Sequence, residues 1–148
     1  MIILERLADD ANEVYAVLSY EPALNYLLMK WIGYCSEDKV KAGSLRMLDW
    51  QRREGLARGC RVHVHHTKEM EGAWAGLVEW IHGEFFPRCY EAGLRYNISV
   101  LSPDLFTKLS SEALFQRPNA LVPTLLCETL PQAERWLSEK YRELNGGR

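Results

Sequence analysis

The sequence contains no apolar run near the ~20 residues that a membrane-spanning helix needs, so no membrane span is expected. It also lacks a CxxC pair. The four cysteines (Cys35, Cys60, Cys89 and Cys127) stand far apart, which argues against a structural zinc site and against a small disulfide-stapled scaffold. They read as reduced, mostly buried thiols. No Walker-type loop and no GxGxxG occurs, so the usual backbone cradle for nucleotide phosphates is missing. Charge of one sign is scarce: 18 basic against 20 acidic side chains leave a net −2. The longest basic cluster is Arg52-Arg53, with Arg58 and Arg61 nearby, too thin a patch for a phosphate backbone, and no nucleic-acid partner is expected. Met1 is not followed by a basic region and a long apolar segment, so no signal peptide and a cytoplasmic location are expected. Repeats, low-complexity tracts and interdomain linkers are absent.

What is present is an ordinary globular mixture, 47% apolar and 26% charged over 148 residues, which suits one domain. Met1 to Glu5 reads as a short edge strand, and Asp9 to Asn12 as a turn in which Asx side chains bond their own backbone. Glu13 to Tyr20 is rich in Val and Tyr and reads as a strand. Glu21-Pro22 breaks it, and Leu24 to Ile32 is the second strand of a hairpin. Ser36, followed by Glu37 and Asp38, is an N-cap signal. Val40, Met47 and Leu48, with Gly43 and Ser44 on the same face, predict a helix that ends near Gly55. Arg61 to His66 is a β-branched, alternating strand. Trp74, Leu77, Val78, Ile81 and Phe85 form one helical stripe that Pro87 should kink or end, with Gly93 as the left-handed cap if the helix continues. Arg95 to Leu101 is the next strand.

Ser102-Pro103-Asp104 then predicts a helix start with Ser102 as N-cap, and Leu105, Phe106, Leu109 and Leu114 facing the core. Leu121 to Cys127 is a strand that Pro123 assigns to an edge or a bulge. Thr129 to Gln132 fits a capping box for a last amphipathic helix carrying Ala133, Trp136, Leu137 and Leu144, closed by Asn145-Gly146-Gly147. The whole is an α/β chain: an N-terminal antiparallel hairpin, then alternating helix–strand units that imply parallel strands joined by right-handed crossovers.

Several landmarks occur together: Trp31-Ile32-Gly33-Tyr34, the helix through Gly43 with Trp50 near its end, Trp80 followed by Phe86-Pro87-Arg88, Glu91 to Leu94, Val100 to Asp104, and Ala133-x-x-Trp136-Leu137. In these the chain, from about Leu24 to Leu137, resembles small bacterial STAS-like proteins, related in fold to anti-sigma-factor antagonists. The resemblance implies a mixed sheet with about four helices packed mainly on one face. It also implies a non-enzymatic regulatory or scaffolding module that acts through protein contacts. In the antagonists a strand ends in an Asp-Ser turn whose hydroxyl is phosphorylated by a partner kinase. The comparable turn here reads His65-His66-Thr67-Lys68-Glu69, where Thr67 is the only hydroxyl and hence the candidate phospho-acceptor. Closer relatives would carry an acidic residue near this strand end, where this chain has His65 or His66.

Two other readings compete with the regulatory one. A small-molecule or lipid-binding domain would keep an apolar pocket under its helices. A metal-dependent or Cys–His enzyme would use the histidine strand. His63 and His65 point to one face, His66 to the other, and an H-x-H pair can share a zinc ion if Glu69, His66 or Cys35 supplies a third ligand. Against this, half-exposed strand histidines commonly hydrogen-bond to neighbours, so no metal or other cofactor is assigned. Cys35 precedes a helix N-terminus, which lowers a thiol's pKa, yet no elbow motif surrounds it. Glu79 and Glu84, flanking Trp80, read as a solvated face. Ligands of open α/β sheets lie beyond the carboxyl ends of parallel strands, so the expected site gathers Gly33, Tyr34, Cys35, His65, His66, Thr67 and Ser102. Trp31, Trp74 and Trp136 fit core stripes. Trp80 with Phe86 is the candidate contact patch for a protein partner or a homodimer.

Overall fold

The computed structural model describes residues 1–144, and the expected helix end at Asn145-Gly146-Gly147 lies outside them, as does the side chain of Leu144. The strands are β1 (Ile2–Ala8), β2 (Val14–Glu21), β3 (Tyr26–Tyr34), β4 (Val62–Glu71), β5 (Tyr96–Val100) and β6 (Thr124–Cys127). They form one sheet in sequence order, antiparallel from β1 to β3 and parallel from β3 to β6. Four helices join or follow the parallel strands: α1 (residues 37–58), α2 (residues 75–91), α3 (Leu105–Phe115) and α4 (Leu130–Leu144). The chain thus has the expected α/β architecture. Each parallel strand adds on the same side of the last, so right-handed crossovers put α1, α2 and α3 on one face. That face buries Trp31, Met47, Trp74, Ile81 and Phe86 in the main core. On the other face α4 sets Ala133 and Leu137 against Tyr26, Leu28, Val62, Val64 and Ile98.

Local chemistry explains most element ends. The Asp9 carboxylate accepts from the backbone N–H of Ala11 and Glu13 at 2.9 and 3.0 Å, closing the β1–β2 turn. Ser36 caps α1 by accepting from the Lys39 N–H at 3.3 Å. Thr129 accepts from the Gln132 N–H at 3.3 Å, and the Gln132 side chain reaches back to the Glu128 N–H at 2.8 Å.

Three expectations are overturned and one open alternative is decided. First, α1 does not stop near Gly55. It passes through a π turn (Gln51–Gly55) and ends at Gly59, whose φ of 68° suits glycine. Gly55 is instead a gap for the buried Gln51 side chain; a Cβ there would lie 2.7 Å from the Gln51 amide carbon. Second, of the two outcomes expected at Pro87, the helix continues, and Gly93 follows its end with a φ of 101°. A π turn (Ile81–Phe85) immediately precedes it, and the changed hydrogen-bond register carries the helix past the missing N–H to Glu91. Third, β4 runs to Glu71. Its polar second half is held by pairing with Ile32, Gly33 and Tyr34 of β3 and by a 2.7 Å Lys30–Glu69 ion pair. The histidines therefore sit in mid-strand and not at its carboxyl end.

Last, α3 begins and faces differently from its sequence signals. Its N-cap is Asp104, which accepts from the Thr107 N–H at 3.0 Å, and Ser102 lies before the helix. The helix faces the opposite way from its apolar periodicity. Leu114 is buried as expected, but its inward companions are Thr107, Ser110 and Ser111, whereas Leu105, Phe106 and Leu109 are exposed. The cause is the β4–α2 connection beneath. Thr107 Oγ1 donates to the Gly72 carbonyl at 2.7 Å, and Ser110 Oγ accepts from the Trp74 N–H at 2.9 Å. Leucines there would leave those backbone groups unpaired, at about 1–3 kcal/mol each.

Candidate functional site

The histidine strand builds a buried polar row under α1 and α2. Gln51 lies on α1 with both amide N–H groups spent on the carbonyls of Cys60 (2.7 Å) and Ala92 (2.9 Å). Its oxygen therefore accepts from His63 Nε2–H at 2.9 Å. His65 Nδ1 accepts from the Trp31 indole N–H at 3.0 Å, and the two rings are nearly parallel, 7° apart. Across the β4–β5 ladder His63 pairs with Asn97 and His65 with Ser99, and Asn97 Nδ2 donates to Thr124 Oγ1 at 3.2 Å. Burial disfavours the imidazolium, lowering His63 to about 3 and His65 to about 4. Both rings are thus neutral and oriented by a neighbour. The His65 lone pair is committed to Trp31, so the H-x-H spacing does not present two free nitrogens to one ion. Among the described residues no cluster of three or more His, Cys, Asp or Glu is placed to hold a metal. His66 lies on the other face, where desolvation lowers its pKa, with Lys30 adding to the shift.

Structure separates the residues grouped at the expected site. Gly33 pairs with Met70 and Tyr34 with Glu71, so the end of β3 and the following Cys35 stand at the true end of β4, beyond the histidines. Ser102 joins them there by donating to the Met70 carbonyl at 2.9 Å and accepting from the Asp104 N–H at 3.0 Å. Gly33 has a φ of 72° and Tyr34 is 66% exposed, while Cys35 is buried. Burial pushes the Cys35 thiol up despite its place before α1, which is the opposite of an activated nucleophile. Thr67 is buried under the helices, and its hydroxyl donates to the Val100 carbonyl at 2.6 Å. A phosphoryl donor therefore meets no exposed hydroxyl at that position.

A cavity of about 30 Å³ lies under the three helices, bounded by Trp31, His65, Trp74, Phe85, Phe86 and Asn97. The Trp74 indole N–H and the Asn97 carbonyl oxygen have no protein partner. Its volume suits a water-sized occupant, whereas small-molecule pockets hold roughly 300–1,000 Å³. A surface groove of about 310 Å³ runs between Ala23–Asn25 and α4. The Tyr141 hydroxyl beside it is already spent on the Asn25 carbonyl and the Arg61 N–H.

Trp80 and Phe86 do not form the exposed pair that was expected. Phe86 is only 2% exposed, inside the core, so it offers no surface. Trp80 is partly buried, stacked on Phe85 with Lys41 over its ring at 5.0 Å. Trp50 is buried against Tyr20. Large apolar side chains are exposed from Met1 to Leu4, at the start of the edge strand β1, and, in greater bulk, on α3 and just beyond it: Leu105 (60%), Phe106 (61%), Leu109 (50%), Phe115 (52%) and Leu121 (47%). No family model and no curated protein matches this chain. Sequence reasoning missed this surface, although a signal exists. Thr107, Ser110, Ser111 and Leu114 keep the same i, i+3, i+4, i+7 spacing as an apolar stripe, and small hydroxyl residues at that spacing can cover exposed backbone. It missed Gln51 and Asn97 as well, because a buried amide carries no local pattern.

Proposed function

We propose that this protein is a non-enzymatic regulatory or scaffolding module that acts through a protein contact made by the outward face of α3. The observation that carries the reading is the orientation of α3, which turns hydroxyl side chains inward and large apolar ones to solvent. Exposed apolar clusters of this kind mark interaction surfaces. Covering about 100 Å² on each of Leu105, Phe106 and Leu109 would supply roughly 7 kcal/mol of transfer free energy before association costs. The STAS-like resemblance agrees with a contact role. The alternatives have less support: the thiol beside α1 is held protonated, His63 is buried against Gln51 and half-buried His65 accepts from Trp31, and the internal cavity is about a tenth of the smallest ligand pockets. Among the described residues no helix is long and apolar enough to cross a membrane, and the four cysteines are unpaired, which fits a reducing cytoplasm.

Affinity capture from extracts of the producing cells tests the reading, comparing wild type with Phe106→Glu and with Leu56→Glu, a control at another exposed apolar site (57%) on α1. A partner lost with Phe106→Glu and kept with Leu56→Glu is expected. A capture profile that the Phe106 change leaves intact would refute the assignment.

A further inference from the structure

We infer that the partner of α3 is a second copy of this chain, docked about a two-fold axis with the two α3 helices antiparallel; this rests on the protein-contact reading above. At 100° per residue the inward face of α3 centres on Leu114, between Ser110 and Ser111. Directly opposite lie Leu105 and Leu109. Lys108 and Glu112 sit one turn apart on one shoulder, and Phe106 and Ala113 sit on the other. Among the described residues neither Lys108 nor Glu112 takes part in an ion pair.

A two-fold axis crossing the helix pair level with residue 110 brings like shoulders together. It sets Lys108 of each copy opposite Glu112 of the other, and Leu109 beside Leu109. The lysine and glutamate thus form two reciprocal pairs from one surface, the self-complementarity that an isologous dimer requires. The apolar area is of the right size too. Leu105, Phe106 and Leu109 offer roughly 300 Å² on this face, and Phe115 adds roughly 100 Å² beside Lys108. A standard interface covers about 800 Å² per partner, of which somewhat over half is apolar.

Sedimentation velocity of the full chain over a wide concentration range tests the dimer, with far-UV circular dichroism confirming that each variant folds. Wild type should dimerise, and Leu109→Glu should be monomeric. Lys108→Glu and Glu112→Lys should each weaken the dimer roughly tenfold by opposing like charges twice. The double variant should recover affinity to within about threefold of wild type, and this recovery should fade in high salt. A protein that stays monomeric throughout overturns the inference. So does a dimer that Leu109→Glu leaves intact, or a double variant no tighter than either single one. A monomer that still shows Phe106-dependent capture of another protein overturns the second copy as partner while leaving the contact role of α3 standing.

Discussion

Replacing Gly55 by alanine should destabilise the protein, and should do the reverse once Gln51 is gone. Gly55 has helical backbone angles, φ −63° and ψ −42°, so on propensity alone Gly→Ala would stabilise by about 1 kcal/mol. The new Cβ, however, would stand 2.7 Å from the Gln51 amide carbon and oxygen and 2.8 Å from its nitrogen. A free glutamine would swing aside at small cost. This one is fully buried and tied by three hydrogen bonds, to Cys60, Ala92 and His63. Displacing it strands two carbonyls and an imidazole N–H at about 1–3 kcal/mol each, although partial relaxation will keep some of those bonds. The net expectation is a loss of about 2–4 kcal/mol, a large part of the 5–15 kcal/mol typical of a domain. In a Gln51→Ala background the obstacle is absent, and Gly55→Ala should then gain about 1 kcal/mol. Urea unfolding of the four proteins, at unchanged m-value, measures both differences. A neutral or stabilising effect in the wild-type background, or the same sign in both, would refute the role given to Gln51.

Other outcomes follow from the same geometry. Thr107→Val keeps the shape but removes the donor to the Gly72 carbonyl, and should cost about 1–3 kcal/mol in the same assay. Leu114→Ala should cost about 2–5 kcal/mol, whereas Leu109→Ala should stay within about 0.5 kcal/mol for the monomer; similar losses at both positions would mean that α3 is not inverted. His63 and His65 are lowered to about 3 and about 4 when folded, against about 6.5 unfolded. The unfolded chain therefore takes up more protons, and stability that is complete above about pH 6.5 is lost as pH falls toward about 4. Each histidine contributes a slope of at most about 1.4 kcal/mol per pH unit. Unfolding midpoints at about pH 7 and pH 5 should differ accordingly, His65→Gln should flatten the dependence, and a flat wild-type profile would contradict the neutral pair.

Much of the architecture is legible in the sequence because it depends on near neighbours. Asp9, Ser36 and Thr129 act through bonds to backbone a few residues away, so their caps and turns can be read locally. The Trp74, Val78, Ile81 and Phe85 stripe likewise buries as its spacing says. Even the faces of His63, His65 and His66 follow from the two-residue strand repeat. The alternation of helix and strand after the hairpin was enough to indicate a mixed sheet.

What sequence alone could not decide was which partners lie across space. Whether β4 stops at His66 depends on β3, since Ile32 to Tyr34 carry it to Glu71 and so take the histidines away from the strand end. Gly55 looks like a terminator and Pro87 like either a kink or an end, yet each belongs to a helix that continues, because π turns fit the chain around Gln51 and past a missing N–H. For α3, two faces had equally regular spacing. Hydropathy favoured the leucines, but the unpaired backbone of the β4–α2 connection, some 35 residues earlier in the chain, needed hydroxyls, and an unsatisfied buried group costs more than an exposed leucine. Short-range bonding thus set the elements, and long-range polar satisfaction turned α3 so that its leucines and Phe106 face solvent.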